Sequence, residues 1–250
     1  PLGNSFLHKK MFAKIDQFIA VSKKVKDNLI KENNVSPEKI KVIYNGMDLS
    51  NYNNINSEYL YSELNIKKDN FVIGAVGTIS GLKNQKLLID IAQKIELDNI
   101  KYIIVGQDFS DKKDYKTKLL NKISQNNLED KFIMTGYRND IPELMNFFDL
   151  LVVPSKSEAF GLVAIEAMAA GTPVIANKVD GLKEVIKNNN SGILVSDNNI
   201  NEYKTSILNI YNNKDLMNKY INNGYKRVKY KFSLKKMIKS VEKIYFNVLK

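Results

Sequence analysis

Two glutamates, Glu158 and Glu166, stand eight positions apart in the segment Glu158-Ala159-Phe160-Gly161-Leu162-Val163-Ala164-Ile165-Glu166-Ala167-Met168-Ala169-Ala170-Gly171-Thr172-Pro173, directly after the apolar run Leu150-Val153. The segment begins as a loop and becomes a helix. Gly161 lets the backbone turn in, Gly171 terminates and Pro173 blocks continuation, which predicts a helix over 162–170. Its first turn leaves the amides of Gly161, Leu162 and Val163 without intrahelical acceptors. These amides lie beyond the carboxyl end of a strand, where open α/β sheets bind ligands, so the chemistry offered is that of an anion site.

Glu166 is the only charged residue between Leu162 and Ala170. A helix apolar on every other side is buried, and a buried carboxylate without a partner costs several kcal/mol, so Glu166 needs donors. The two hydroxyls of a ribose would supply them, and so would a backbone amide or a lysine; spacing alone does not choose. Lys83 follows the apolar run Phe71-Val76 and Gly77. An exposed lysine pair is worth ~0–1 kcal/mol. Unit charges about 4 Å apart at an effective ε near 20 attract by ~4 kcal/mol before desolvation, so a closed cleft would make Lys83 matter.

The elements that must position these residues read as strands at Phe18-Val21, Lys41-Tyr44, Phe71-Val76, Tyr102-Val105, Phe132-Met134, Leu150-Val153, Val174-Ala176 and Gly192-Val195. Helical patterns lie between most of them: Lys23 to Glu32 behind a Ser22 cap, Gln85 to Ile95, Tyr115 to Asn126, Ile141 to Phe148, Leu162 to Ala170 and Leu182 to Lys187. Strand and helix in alternation mean an α/β fold, a Rossmann-like parallel sheet with helices on both faces. The last fifty residues read as a helical extension, roughly Ile200 to Asn212, Lys214 to Tyr230 and Leu234 to Leu249. The Asn-rich stretch from Asn45 to Asn56 breaks the pattern and reads as a linker. The expected organisation is therefore 1–3 as the stub of a removed tag, 4–56 as the end of a preceding domain plus linker, 57–212 as the Rossmann-like unit and 213–250 as C-terminal helices.

Composition sets limits on the chemistry. Of 250 residues 44% are hydrophobic and 26% charged, which suits a globular chain with a core. With no cysteine there is no disulfide, thiolate or Cys-ligated metal, and the solitary histidine, His8, reads as a surface residue rather than a ligand. No apolar run reaches the ~18–20 residues of a membrane span. The formal net charge of +11 favours anionic partners.

The segment around Glu158 and Glu166 resembles the Glu-x7-Glu signature of retaining GT-B glycosyltransferases of family 4, the glycosyl transferases group 1. The likeness runs from Phe18 to about Ser196, through Ala20-Val21-Ser22, Val42 to Asp48, Gly74 and Gly77, Lys83-Asn84-Gln85, Gly136-Tyr137, Asp149 through Pro154-Ser155, and Pro173 to Ala176. It implies the nucleotide-sugar-binding half of a GT-B enzyme. On that resemblance Glu158 contacts donor-sugar hydroxyls, Glu166 takes the ribose, the amides of Phe160, Gly161, Leu162 and Val163 hold sugar and diphosphate oxygens, and Lys83 neutralises the diphosphate. Gly77 and Thr78 line the phosphate loop, Tyr137 and Arg138 lie near the nucleobase, and Glu184 belongs to the sugar pocket. Thr78 stands where the family usually has arginine, leaving more of the phosphate to Lys83. Asp180-Gly181-Leu182-Lys183-Glu184 departs from the family's Gly-Gly-x-x-Glu.

The implied function is binding of a nucleoside diphosphate sugar, UDP-sugar by default, for retaining transfer to a glycan, lipid or other acceptor in cell-surface polysaccharide or glycoconjugate synthesis. No cofactor or metal is expected, since the scheme needs none and no Asp-x-Asp motif is present. The implied partners are the donor and a missing N-terminal domain, without which this chain is expected to bind donor but not to transfer sugar. The expected location is cytoplasmic, with the basic stretch from Lys226 to Lys243 open to three readings, a nucleic-acid patch, a peripheral contact at the inner membrane face or, the commonest case for such a run, a solvated helix face. The alternatives are a catalytically silent nucleotide-sugar-binding module and a sugar-nucleotide epimerase. A nucleic-acid-binding protein is disfavoured, because strands apolar on both faces leave no exposed basic and aromatic sheet face.

Overall fold

The computed structural model describes residues 11–12, 14–110 and 114–249; His8 and Pro1-Leu2-Gly3, read above as a tag stub, lie outside them. The chain opens with a βαβ unit: β1 (Phe18–Ala20), α1 (Lys23–Asn33) and β2 (Ile40–Val42), the strands paired in parallel with Phe18 opposite Ile40. Ser22 caps α1, its Oγ accepting the amide of Val25 at 3.1 Å. The turn ends at Asn34 in the left-handed conformation, φ 53°.

After β2 the Asn-rich stretch is not a free tether. Met47 donates its amide to Phe232 O at 2.7 Å and accepts that of Leu234 at 3.0 Å, and Leu49–Tyr52 forms a 3-10 turn. Its apolar members explain why: Met47, Leu49 and Tyr52 pack against the sheet's core. A short helix, α2 (Tyr59–Glu63), follows with Leu60 fully buried.

The main body is a six-stranded parallel sheet built from β3 (Phe71–Val76), β4 (Ile100–Val105), β5 (Phe132–Gly136), β6 (Leu150–Val153), β7 (Val174–Asn177) and β8 (Ile193–Val195), in the spatial order β5-β4-β3-β6-β7-β8. This is the Rossmann order, whose reversal between β3 and β6 opens a crevice at the strands' carboxyl ends. Alternate residues bury opposite faces. Val72, Ile103, Leu151 and Val174 join α5 (Ile141–Phe147), α6 (Leu162–Ala170) and α7 (Leu182–Val185) in one core. Ile73, Ile104, Val152 and Ile175 join α3 (Lys86–Ala92), α4 (Asp114–Gln125) and α8 (Ile200–Asn212) in the other. Burial on both faces is what continuous apolar strands require. Two further helices, α9 (Lys214–Lys231) and α10 (Leu234–Val248), complete the described chain. Gly224 of α9 admits Met168 of α6, since a Cβ there would meet Met168 Cγ at 2.9 Å. No helix among the described residues is long and apolar enough to cross a membrane. α10 has no fully buried residue and leaves Tyr245 and Phe246 exposed.

Candidate functional site

The crevice at the reversal point is where the singled-out residues meet. A cavity of about 370 Å³ is lined by Val21, Asn45, Val76, Gly77, Lys83, the run Glu158 to Val163, and Glu166. Three separate stretches place them: the loop after β3, the loop between β6 and α6, and the exit strands of the βαβ unit. Gly161 sits at φ +99°, and a Cβ on it would overlap Leu182 Cδ2 at 2.7 Å, so the turn into α6 requires glycine. No side chain caps this helix. Among the described residues no acceptor is found for the amides of Gly161, Leu162 and Val163.

Lys83 and Glu158 are ion-paired, and Ser155 Oγ donates to the same carboxylate oxygen at 3.0 Å. Glu166 is different. Its carboxylate is half-buried, finds no hydrogen-bond or ion-pair partner among the described residues, and burial holds its pKa above the usual carboxylate value. Tyr52, from the 3-10 turn, lies close enough that the Glu166 charge adds to burial in raising its phenol pKa.

A second cavity of about 250 Å³ adjoins the first across Val76 and Gly77 and is lined by Thr78, Val105, Gly106, Gln107, Phe109, Tyr137, Arg138 and Ile141. The two loops touch through glycine. Gly106 has φ +143°, and a Cβ on it would sit 2.0 Å from Gly77 O. Tyr137 and Phe109 expose 65% and 67% of their surface here, so two aromatic faces are free at the cavity rim. Arg138 is less available. It is paired with Glu63 and Asp140, and its hydrogen bond lowers the Asp140 pKa to about 2.

Glu184, expected in the sugar pocket, is directed elsewhere. Its carboxylate accepts the amides of Lys23 at 2.8 Å and Lys24 at 3.3 Å and the hydroxyl of Tyr44 at 2.9 Å. The unpaired amides at the start of α1 are a ready anion site, and the turn at Asp180-Gly181 brings this glutamate to it. Burial first, and then Glu184, raises the Tyr44 pKa to about 12. Tyr44 stacks on Phe160 with ring centroids 5.7 Å apart, while Ser22 Oγ donates to Ala159 O at 2.6 Å. The βαβ unit thus braces the loop that carries Glu158. Val21, Asn45, Tyr52 and Phe109 joined the site without any sequence signal of a ligand role. Among the described residues no group of three or more His, Cys, Asp or Glu is placed to hold a metal ion.

The family model described as glycosyl transferases group 1 matches residues 58–227, and that described as glycosyltransferase family 4 matches residues 3–51. An uncharacterised glycosyltransferase of Methanocaldococcus jannaschii is 36% identical over 92% of this chain, which spans 59% of that protein. The UDP-Gal:alpha-D-GlcNAc-diphosphoundecaprenol alpha-1,3-galactosyltransferase of Escherichia coli is 28% identical over 93% of the chain and 60% of its own length. Among solved structures, Anabaena HepE in complex with UDP-glucose superposes with a TM-score of 0.88 at 27% identity, covering 93% of this chain and 64% of HepE. With its Rossmann-ordered sheet, its crevice and a family match across more than half its length, the chain belongs to the GT-B glycosyltransferases of family 4, the glycosyl transferases group 1.

Proposed function

We propose that the two adjoining cavities bind a nucleoside diphosphate sugar and that the protein serves the donor side of a retaining glycosyl transfer. The observation that carries this reading is the half-buried Glu166 carboxylate, without a donor among the described residues, on the wall of a cavity that also holds Lys83 and the open amides of α6. A ribose supplies two hydroxyl donors to Glu166. The diphosphate meets the amides of Gly161, Leu162 and Val163 and displaces Glu158 from Lys83, freeing that carboxylate for sugar hydroxyls. The base enters the second cavity, between Tyr137 and Phe109. UDP is the favoured nucleotide because HepE was solved with UDP-glucose and the E. coli relative is named for a UDP-sugar.

In the transfer itself the bond from the anomeric carbon to the diphosphate oxygen breaks, its electron pair leaving with the diphosphate, while an acceptor hydroxyl oxygen bonds to that carbon and gives its proton to the departing phosphate oxygen. Lys83 and the helix amides are aimed at that growing charge in a partly enclosed cleft. The acceptor, a glycan or lipid of cell-surface glycoconjugate synthesis, approaches from the side of the βαβ unit. Isothermal titration with UDP, GDP, ADP and UDP-glucose tests the reading. Binding of one base in preference supports it and names the donor; the absence of binding by every nucleotide overturns it.

A further inference from the structure

Behind the Lys83–Glu158 pair lies a knot of amide side chains. Asn177, the last residue of β7, is fully buried, as is Tyr203 of α8, and Asn84 is 9% exposed. Asn177 Nδ2 donates to Pro154 O at 2.8 Å, to Ser155 O at 3.1 Å and to Asn198 Oδ1 at 3.2 Å. Its Oδ1 accepts the hydroxyl of Tyr203 at 3.1 Å and the amide of Asn198 at 3.3 Å. Asn84 Nδ2 converges on the same acceptors, Pro154 O at 3.2 Å and Asn198 Oδ1 at 2.9 Å.

Two loops are therefore held at one point. Asn84 directly follows Lys83, and Ser155 is the residue whose hydroxyl reaches Glu158. Pro154 O, buried where water does not reach, takes one amide from each side of the crevice. Loops after strands are otherwise the most mobile parts of such a fold. A fully satisfied buried polar network is rigid, and removing one member leaves its partners unpaired in low dielectric.

We infer that Asn177 is a positioning residue: acting with Asn84 through Pro154 and Ser155, it sets the spacing between Lys83 and Glu158 and so the strength with which the cavity holds a diphosphate. The inference rests on the nucleotide-sugar reading for its ligand, but its geometry can be read without one.

The test uses three variants of the full chain. Asn177→Ala removes the hub. Asn84→Gly removes the second amide while keeping the backbone, because Asn84 sits at φ +55°, a conformation glycine adopts freely. Tyr203→Phe deletes one of the two donors to Asn177 Oδ1, leaves Asn198 N on that oxygen and every bond to Pro154 and Ser155 in place, and so serves as the stability control. Titration with UDP at a temperature where all are folded by circular dichroism should show about a tenfold loss of affinity for Asn177→Ala and Asn84→Gly. Tyr203→Phe should lie within about twofold of the parent, and the double variant Asn84→Gly/Asn177→Ala should lose no more than about the larger single, since both act through one loop. Equal affinity in parent and Asn177→Ala overturns the inference, as does an equal loss in Tyr203→Phe. Amide hydrogen exchange without ligand is the second measurement. Faster exchange of segments 82–85 and 155–158 in Asn177→Ala but not in Tyr203→Phe supports the positioning role, and unchanged exchange overturns it. If the parent binds no nucleotide, the functional reading fails while the exchange still decides this one.

Discussion

Lys83 holds the carboxylate of Glu158 across the mouth of the crevice, joining the loop after β3 to the loop after β6. The pair is only partly exposed, 27% for the lysine side chain and 10% for the glutamate, so neither charge is fully screened by water. On the proposed reading an incoming diphosphate would compete for Lys83 with an anion already in place.

Glu158→Gln should therefore bind bare UDP more tightly than the parent, by about threefold or more, because the competing charge is gone. The same variant should lose the extra affinity that a sugar adds, and Lys83→Ala should weaken both ligands by about tenfold, ~1.4 kcal/mol. Titration of parent and variants with UDP and UDP-glucose checks this; weaker UDP binding by Glu158→Gln would show that the glutamate does not compete.

Glu166→Gln should cost at least about tenfold in UDP affinity with the fold retained. Its effect on stability has the opposite sign. Burial raises the Glu166 pKa above its ordinary 4.5, so the folded state holds this proton more tightly than the unfolded chain does. The contribution to stability is present below pH 4.5 and is lost as pH rises through the folded value. Thermal melts should show Glu166→Gln matching the parent in acid and gaining on it as pH rises towards neutrality. A constant difference across pH would place the carboxylate in water.

Gly106→Ala should destabilise the protein and weaken UDP binding. The left-handed φ alone costs about 1–3 kcal/mol with a side chain, and the 2.0 Å approach of its Cβ to Gly77 O forces the loop after β3 to move. Melting temperature and UDP affinity should fall together. Loss of stability with unchanged binding would mean that the loop relaxes without disturbing the crevice.

Glu184→Ala should release the start of α1 while leaving the six-stranded sheet intact. The amides of Lys23 and Lys24 lose their acceptor, and Tyr44 loses its partner. Hydrogen exchange should quicken at residues 22–25 and 44 with no change in β3, β4 or β6. Global acceleration would make Glu184 a determinant of the whole fold.

Much of this architecture was legible from local pattern. The runs Phe71–Val76 and Leu150–Val153 and the helices Leu162–Ala170 and Ile200–Asn212 fall where apolar periodicity and glycine stops place them. The turn Leu49–Tyr52 and helix Tyr59–Glu63 escaped, because asparagines mask the apolar residues between them and those residues pack on a core formed far along the chain. The site shows the same division. Residues in one motif, Glu158 to Glu166, come with their spacing. Glu184 and Arg138 do not, for whether a charged side chain faces a ligand or meets Lys23 or Glu63 depends on neighbours 161 and 75 positions away. Tyr44 on Phe160 is likewise a meeting that no window of sequence contains.

The hydrogen bonds joining Met47 to Phe232 and Leu234 impose an order on biosynthesis. A ribosome working at ~5–20 residues per second delivers the βαβ unit well before the backbone that clamps its exit. Until then the early segment lacks this clamp, although Met47, Leu49 and Tyr52 already have part of the sheet's core to pack on. Docking of this segment therefore waits on Phe232 and Leu234, and disrupting that pairing should be felt at Met47, far away along the chain.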